Sequence, residues 1–212
     1  MILLIGGEKG GTGKSTLAKN IAAYLQQQGK DIITIDSDPQ GTLYRWAARR
    51  KDNPDVQPIL CTQLIGSKIA NELRSLATKY DVVLVDAGGQ DSGALRAAMV
   101  VATHMLIPVQ PKFSDLETLP HVAEILEELA NYNPHIKYRT VITMCPTLPS
   151  QAKDIIDAKD FCQSVGIPSL NAITHNRVVY DNVNANGLTA IESDNPKAQQ
   201  EIIEIVQEFL GV

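Results

Sequence analysis

Short apolar runs alternate with stretches of helical periodicity along almost the whole chain. A run of about five apolar residues predicts one buried strand, whereas apolar residues that recur every three or four positions predict a helix. Strands are predicted at residues 1–5, 31–35, 82–85, 105–109, 137–143 and 169–173, with a further strand or extended segment at 56–61. Helices are predicted at residues 17–25, 43–50, 67–78, 116–130, 152–164 and 198–210, with a short helix at 181–186.

This alternation predicts an α/β fold in which a mainly parallel twisted sheet carries helices on both faces. The run Val82-Val83-Leu84-Val85 is apolar at every position, which is typical of a strand buried on both faces of a sheet. The chain has 212 residues and contains no internal repeat, no low-complexity tract and no linker rich in Gly, Ser or Pro. A single domain over residues 1–212 is therefore predicted.

The composition, with 44% hydrophobic and 20% charged residues, is that of an ordinary globular protein. No apolar stretch approaches the length of a membrane span, and the first predicted strand leaves no room for a signal peptide, so we expect a cytoplasmic protein. Cys61, Cys145 and Cys162 fit no zinc or redox spacing and are interpreted as buried thiols. A net charge of −5 argues against a coat of positive charge but allows a local basic patch.

A glycine-rich segment joins the first predicted strand to the first predicted helix and reads Lys9-Gly10-Gly11-Thr12-Gly13-Lys14-Ser15-Thr16. The order of strand, glycine loop, Gly-Lys-Ser and helix is that of a phosphate-binding loop. The glycines let successive backbone N–H groups turn toward one anion, which the positive end of the helix also attracts. Lys14 is expected to reach the β- and γ-phosphates of a nucleotide, and the Ser15 hydroxyl to ligate Mg²⁺. A plain glycine-rich turn would explain the glycines but not the Lys-Ser pair.

Aspartates follow two of the predicted strands. Asp36 and Asp38 come at the end of the second strand, and their spacing puts both carboxylates on one side if the backbone stays extended. Asp86 follows the strand at 82–85, which is the position of an acid that holds Mg²⁺ directly or through water. A lone Asp after a strand is often only a turn former or a helix cap. Because parallel sheets bind ligands at the carboxyl ends of their strands, these acids together predict a metal and nucleotide site.

The glycine loop departs from the usual pattern at Glu8, where a first glycine is expected, and at the additional Lys9. Lys9-Gly10-Gly11-x-Gly13-Lys14-Ser15 resembles the deviant Walker A motif of the ParA/MinD group of ATPases. The resemblance implies a P-loop NTPase fold and cofactors ATP and Mg²⁺. It also implies that Lys9 crosses a dimer interface and contacts the phosphates bound by the other subunit. A solvated surface lysine is the alternative interpretation of Lys9.

Further segments extend the resemblance over nearly the whole chain. Asp36-Ser37-Asp38-Pro39-Gln40 is similar to the Asp-x-Asp-Pro-Gln segment of ParA proteins, which implies that Asp38 positions the attacking water and that Asp36 supports the metal site and loop geometry. The segment 173–177 resembles the family's late loop near the nucleotide base, which implies a role for Asn176. After Asp86 the chain reads Ala87-Gly88-Gly89-Gln90, where ParA proteins usually have two prolines. The resemblance thus gives nucleotide-binding residues Lys9, Gly10, Gly11, Thr12, Gly13, Lys14, Ser15, Thr16 and Asn176, catalytic residues Lys9, Lys14 and Asp38, and metal ligands Ser15, Asp36 and Asp86.

The chain lacks the N-terminal helix-turn-helix domain of larger ParA proteins and so resembles the short plasmid partition ATPases. This resemblance implies a homodimer formed on ATP, nonspecific DNA binding at the nucleoid, and segregation of plasmid or chromosomal DNA with a centromere-binding adaptor of the ParB type. The alternatives are an ATPase of the same kind that positions a protein cargo, or a metabolic or redox enzyme on the same fold. The cysteines do not fall where an iron–sulfur enzyme of this fold needs them.

The predicted last helix bears on a MinD-like membrane role. Ile202, Ile205, Val206 and Phe209 form its apolar stripe, and Glu201, Glu204 and Glu208 form its polar face. Membrane-surface helices carry Lys and Arg on that face, so packing against the sheet, with no membrane contact, is the favoured interpretation.

Basic residues that could contact DNA are concentrated at residues 44–51, which also contain the single tryptophan. Lys153, Lys159 and Arg177 are further candidates in the second half of the chain. A solvated helix face with one anchoring aromatic side chain explains the cluster equally well.

Overall fold

The computed structural model describes residues 1–66, 68–89 and 93–212. For Pro149 it describes the backbone only. The strands are Ile2–Ile5 (β1), Ile32–Asp36 (β2), Leu60–Gln63 (β3), Val82–Asp86 (β4), His104–Val109 (β5), Lys137–Cys145 (β6) and Ser169–His175 (β7). The α-helices are Lys14–Gln27 (α1), Thr42–Lys51 (α2), Ile69–Leu76 (α3), Gly93–Val101 (α4), Phe113–Leu116 (α5), Leu119–Leu129 (α6), Ala152–Ser164 (α7), Val179–Asn182 (α8) and Pro196–Leu210 (α9). Short 3-10 helices lie at Pro149–Gln151, Val183–Asn186 and Ala190–Glu192.

The described strands form one seven-stranded sheet in the order β3-β2-β4-β1-β5-β6-β7. Every neighbouring pair is parallel, which confirms the predicted α/β class. Alternate residues of β1 face opposite sides of the sheet, so that Leu3 and Ile5 pack with α1, α2 and α9, while Ile2 and Leu4 pack with α3, α4, α6 and α7. Burial on both faces explains why the central strands are continuous apolar runs.

The connections after β1 and β4 leave the sheet on opposite sides. β1 lies between β4 and β5, and the helix that follows β1 packs on one face while the helix that follows β4 packs on the other. A crevice therefore opens at the carboxyl ends of β1 and β4, which is where open α/β sheets bind their ligands. The glycine loop and Asp86 both lie at this crevice, because the loop follows β1 and Asp86 is the last residue of β4.

Three helix predictions differ from the structure. The helix predicted at 116–130 is α6, which begins at Leu119, and only Leu116 of the predicted range lies in the separate short helix α5. Pro120 lies in the first turn of α6, where a missing N–H costs nothing and a fixed φ favours helix initiation. The helix predicted at 67–78 is α3, which spans Ile69–Leu76, and Ser67 lies outside the described residues. Helix α4, whose residues are mostly small or apolar, was not predicted.

The last helix packs on the sheet as predicted, since Ile202, Ile205 and Val206 are buried. Of the three glutamates predicted on its polar face, Glu204 and Glu208 are exposed, but Glu201 is buried. Glu208 accepts hydrogen bonds from the backbone N–H groups of Asn171 and Ala172. The carboxylates of Glu201 and Glu208 thus bind the backbone of the edge strand β7. No helix in the described ranges combines the length and apolar character needed to cross a bilayer.

The cysteines are free thiols, as the spacing indicated. Cys145 and Cys162 are buried and Cys61 is half-buried. Burial raises the pKa of the Cys61 thiol to about 11 and that of the Cys145 thiol to about 12, so neither is a reactive thiolate near neutral pH.

Candidate nucleotide site

The glycine loop has the backbone geometry of an anion cradle. Gly11 and Gly13 have φ values of 78° and 88°, a left-handed conformation that side chains with a Cβ rarely adopt. Gly13 begins α1, since its carbonyl oxygen accepts the first helical hydrogen bond from the N–H of Leu17 at 2.9 Å. The N-terminal end of α1 therefore points into the crevice with its N–H groups toward any bound phosphate.

Neighbouring strands hold this loop in place. The side-chain amide of Gln110, just after β5, donates to the carbonyl oxygen of Gly11 at 2.9 Å. The Thr143 hydroxyl of β6 lies 2.7 Å from the carbonyl oxygen of Thr12, whose own buried hydroxyl has no hydrogen-bond partner among the described residues. Two carbonyl oxygens of the loop are therefore bound, one by a residue that follows β5 and one by a residue of β6.

Lys14 is folded back onto the loop. Its side chain is 7% exposed, and its Nζ donates to the carbonyl oxygen of Lys9 at 2.5 Å. Burial lowers the pKa of Lys14, while the nearby carboxylates of Asp86, Asp38 and Asp115 act in the opposite direction. The Lys14 ammonium thus lies among acids at the crevice, and it donates a hydrogen bond to one carbonyl oxygen of the loop. This position suits a side chain that binds phosphate oxygens.

Lys9 differs from Lys14 in its surroundings. Its side chain is half-buried and makes no hydrogen bond or ion pair within the described ranges. The preceding residue, Glu8, lies with its carboxylate 3.2 Å from Nε2 of His121 on α6. Glu8, which replaces the expected glycine, therefore connects the loop to α6, while the catalytic role of Lys9 stays a prediction.

Asp86 is the most buried acid of the crevice. It is 1% exposed, and its Oδ2 atom has no hydrogen-bond partner in the described part of the chain. Burial raises the pKa of Asp86 to about 7, although a hydrogen bond from the Ser15 side chain and the charge of Lys14 both lower it. A buried carboxylate oxygen without a partner is costly, and a bound cation would satisfy it. Asp86 and Ser15 therefore fit a Mg²⁺ site, with oxygen ligands of the kind that Mg²⁺ prefers.

Asp36 lies directly beside Asp86 on the neighbouring strand, with which it is in register. Its Oδ1 accepts from the backbone N–H of Asp38 at 3.1 Å, and its Oδ2 from that of Tyr44 at 2.8 Å. Burial nevertheless raises the pKa of Asp36, and these backbone hydrogen bonds act against that rise. The carboxylate thus shapes the loop that leads into α2, as expected for loop geometry, whereas metal binding by Asp36 stays a prediction.

Asp38 lies in a groove beside the glycine loop, lined also by Gly10, Gly88 and Gly89. Its Oδ1 accepts from the backbone N–H of Gln40 at 2.9 Å. The segment after Asp86 approaches so closely that a Cβ atom on Gly89 would lie 2.7 Å from the backbone nitrogen of Gly10. This contact requires glycine at position 89. Gln90 lies outside the described residues, and the role of Asp38 in hydrolysis stays a prediction.

A cavity lies on the other side of the loop, next to the first turn of α1. It is lined by Gly13 and Thr16 of the loop and α1, and by His175 at the end of β7, Asn176 and Arg177 of the following loop, and Tyr180 of α8. The structure thus brings the predicted Asn176 together with Thr16. Sequence reasoning missed Tyr180 and the buried Glu201 behind it, because neither belongs to a local motif.

Several basic residues proposed for DNA contact have partners inside the protein. Arg50 is 1% exposed and forms a two-pronged ion pair with Glu192, with N–O distances of 2.9 and 2.7 Å. Lys159 donates to the carbonyl oxygen of Asn171, and Arg177 pairs with Glu201. Arg50 is therefore excluded as a DNA contact by its burial. Arg45, Lys51 and Lys153 are exposed.

Comparison with known proteins identifies a nucleotide-binding family and several related proteins. Residues 3–208 match the family described as the CobQ/CobB/MinD/ParA nucleotide binding domain. The chain is 27% identical to the maintenance of carboxysome distribution protein A of Halothiobacillus neapolitanus, over 98% of this chain and 95% of that protein. It is 29% identical to the chromosome-partitioning ATPase Soj of Thermus thermophilus, over 64% of this chain and 65% of that protein.

A solved structure has the same fold. The septum site-determining protein MinD of Pyrococcus horikoshii, complexed with Mg-ADP, superimposes with a TM-score of 0.74 at 18% identity and covers 98% of this chain and 94% of its own. That protein was solved with magnesium and ADP bound. The chain belongs to the CobQ/CobB/MinD/ParA family of nucleotide-binding domains.

Proposed function

We propose that this protein is a Mg²⁺-dependent ATPase that uses ATP binding and hydrolysis as a molecular switch. The observation that carries this proposal is the buried, unpartnered Oδ2 of Asp86, which lies at the carboxyl end of a central strand beside the Ser15 side chain and Lys14. A bound Mg²⁺ would neutralise phosphate charge at this position. The loop N–H groups and Lys14 would bind the phosphates, and the Asp38 carboxylate would accept a proton from the water that attacks the γ-phosphate.

The proposal includes a dimer that forms on ATP through Lys9. In the monomer, the Lys9 side chain has no hydrogen-bond partner within the described ranges, although it begins the phosphate loop. Lys14 already supplies a positive charge to the cradle from the same chain. A second lysine without a local partner is therefore available to phosphates bound by a facing subunit. The γ-phosphate would hold the two subunits together until hydrolysis, as in other nucleotide switches.

We further propose that the ATP-bound dimer binds DNA nonspecifically and so associates with the nucleoid. The exposed cations Arg45, Lys51 and Lys153 support this role, because their charges are not used in ion pairs among the described residues. A net charge of −5 makes a single chain a poor ligand for DNA. Pairing two modest basic surfaces in a dimer raises affinity through avidity. A partner protein on the cargo would then stimulate hydrolysis and release the dimer.

The cargo has two candidates. DNA segregation with a centromere-binding adaptor is the first, and it is supported by the similarity to the partition ATPase Soj. Positioning of a protein assembly is the second, and it is supported by similarity along almost the full length of a carboxysome distribution protein. Plasmid loss in a deletion strain would indicate the first, whereas normal plasmid inheritance with clustered protein assemblies would indicate the second.

Sizing of the purified protein tests the switch directly. Light scattering is measured without nucleotide, with Mg²⁺ and ADP, and with Mg²⁺ and ATP, and nonspecific duplex DNA is then added to each sample. We expect the protein to form a dimer and to retain DNA only in the sample that contains Mg²⁺ and ATP. A monomer in all three conditions would contradict the proposed switch.

A further inference from the structure

A single buried carboxylate on the last helix binds three residues that line the cavity next to the first turn of α1. Glu201 of α9 has a side chain that is 9% exposed. Its Oε1 lies 2.7 Å from Nδ1 of His175 and accepts from Nε of Arg177 at 2.8 Å. Its Oε2 accepts from the hydroxyl of Tyr180 at 2.8 Å and from the backbone N–H of His175 at 3.3 Å. The end of β7, the following loop and α8 thus converge on one side chain.

Asn176 lies between two of these bound residues. Its backbone N–H donates to the carbonyl oxygen of Cys145 at the end of β6, at 2.9 Å. His175 before it and Arg177 after it are both held by Glu201. The backbone of Asn176, a residue that lines the cavity, is therefore fixed from both sides.

We propose that Glu201 is a positioning residue for the nucleotide base, which acts through His175, Arg177 and Tyr180 to hold the wall of the base cavity in its binding conformation. The proposal rests on the proposed function, since it takes the cavity as the base site of bound ATP. Its physical basis is preorganisation, because a loop that is already ordered loses less conformational entropy when the base binds. A carboxylate suits this position because charge-assisted bonds to Arg177 compensate for its burial.

The same helix offers a matched control. Glu208 is two turns further along α9, and its carboxylate also binds β7, where it accepts from the backbone N–H groups of Asn171 and Ala172 at 2.8 Å each. These residues lie toward the beginning of β7, away from the cavity. A carboxylate that only stabilised the packing of α9 on β7 would act at both positions, whereas a positioning role belongs to Glu201 alone.

The test compares ATP with inorganic tripolyphosphate as ligands, each with Mg²⁺, for the parent protein, Glu201→Gln and Glu208→Gln. Tripolyphosphate uses the phosphate cradle but has no base. We expect Glu201→Gln to weaken ATP binding at least tenfold and to keep the affinity for tripolyphosphate within twofold of the parent. Glu208→Gln should change neither affinity. The preference for ATP over GTP should fall in Glu201→Gln as well. Tyr180→Phe, which removes one hydroxyl, should show a smaller loss of the same kind and serves if Glu201→Gln does not fold.

The outcomes separate this proposal from the proposed function. A parent protein that binds neither ligand would contradict the ATPase proposal itself. A parent protein that binds both, together with equal losses for ATP and tripolyphosphate in Glu201→Gln, would overturn the positioning role. Unchanged ATP affinity in both Glu201→Gln and Tyr180→Phe would overturn it as well.

Discussion

The side-chain ammonium of Lys14 donates a hydrogen bond to the backbone carbonyl oxygen of Lys9, 2.5 Å away. The two lysines of the loop are thus connected through the side chain of one and the main chain of the other. Substitution of Lys9 leaves its carbonyl oxygen in place, so the contact of Lys14 survives. The contributions of the two side chains can therefore be separated by mutation.

Lys14→Ala is expected to abolish ATP binding. The substitution removes the cation that the loop holds at the crevice among Asp86, Asp38 and Asp115, and leaves these acids to repel the phosphates. Nucleotide affinity measured by calorimetry checks this, with the exposed Lys30→Ala as a control for loss of one positive charge. An affinity near that of the parent protein would contradict the assignment of the loop.

Lys9→Ala is expected to retain nucleotide binding by the monomer but to lose ATP-dependent dimerisation and hydrolysis. The reason is that the Lys9 side chain has no hydrogen-bond partner within the described ranges, while its carbonyl still binds Lys14. Light scattering with Mg²⁺ and ATP, combined with phosphate release, measures both effects. If the variant dimerises and turns over like the parent, Lys9 is only a surface lysine.

Asp38→Ala is expected to bind ATP and dimerise but to hydrolyse ATP slowly, by a factor of about 10² or more. Asp38 lies in the groove beside Gly10 rather than in the phosphate cradle itself, so binding does not depend on its carboxylate. The protein should therefore stay in its ATP-bound state and remain on DNA after a pulse of ATP. Asp86→Ala is the comparison, and it should weaken ATP binding because it removes the unpartnered oxygen that fits Mg²⁺. Parent-like hydrolysis by Asp38→Ala would exclude a catalytic role.

DNA binding is expected to depend on ATP, to be independent of sequence and to weaken steeply with salt. Each phosphate contact contributes about 0.9 to the slope of log affinity against log salt concentration. Arg45→Ala, Lys51→Ala or Lys153→Ala should each reduce that slope if the exposed cation contacts DNA in the dimer, and by twice as much if both subunits contribute. Equal binding by the nucleotide-free protein, or a strong preference for one duplex sequence, would contradict this prediction.

Lys19 gives an expected pH dependence of stability. It is 4% exposed on α1, and burial lowers its pKa from 10.5 to about 8. Between these values the unfolded chain binds more protons than the folded protein, so this group makes the free energy of unfolding rise with pH. Relative to Lys19→Met, the free energy of unfolding of the parent should increase by up to about 1.4 kcal/mol per pH unit above pH 8. Urea titrations at pH 7 and pH 9.5 measure the difference, and a constant difference would contradict the lowered pKa.

The parallel sheet and the phosphate loop were both predictable from the sequence. Continuous apolar runs identify strands buried on both faces, and the conformations of Gly11 and Gly13 are local properties of the backbone that glycine alone adopts easily. The start of α6 is also marked locally, by Pro120 in its first turn, although the predicted helix began three residues earlier. Local patterns therefore specified the strands and the cradle, but they missed the helices α4 and α5 and placed some boundaries a few residues away.

Only the tertiary structure decided the roles of charged residues that look alike in the sequence. Glu201 and Glu204 are neighbours on one helix, yet the first is buried and the second is exposed. Arg50 is buried and Lys51, the next residue, is exposed. A buried charge needs hydrogen-bonding partners, and those of Glu201 come from residues 21 to 26 positions earlier in the chain, while Glu192 lies 142 positions after Arg50. Partners at such separations are brought together by the sheet topology, and no local pattern records them.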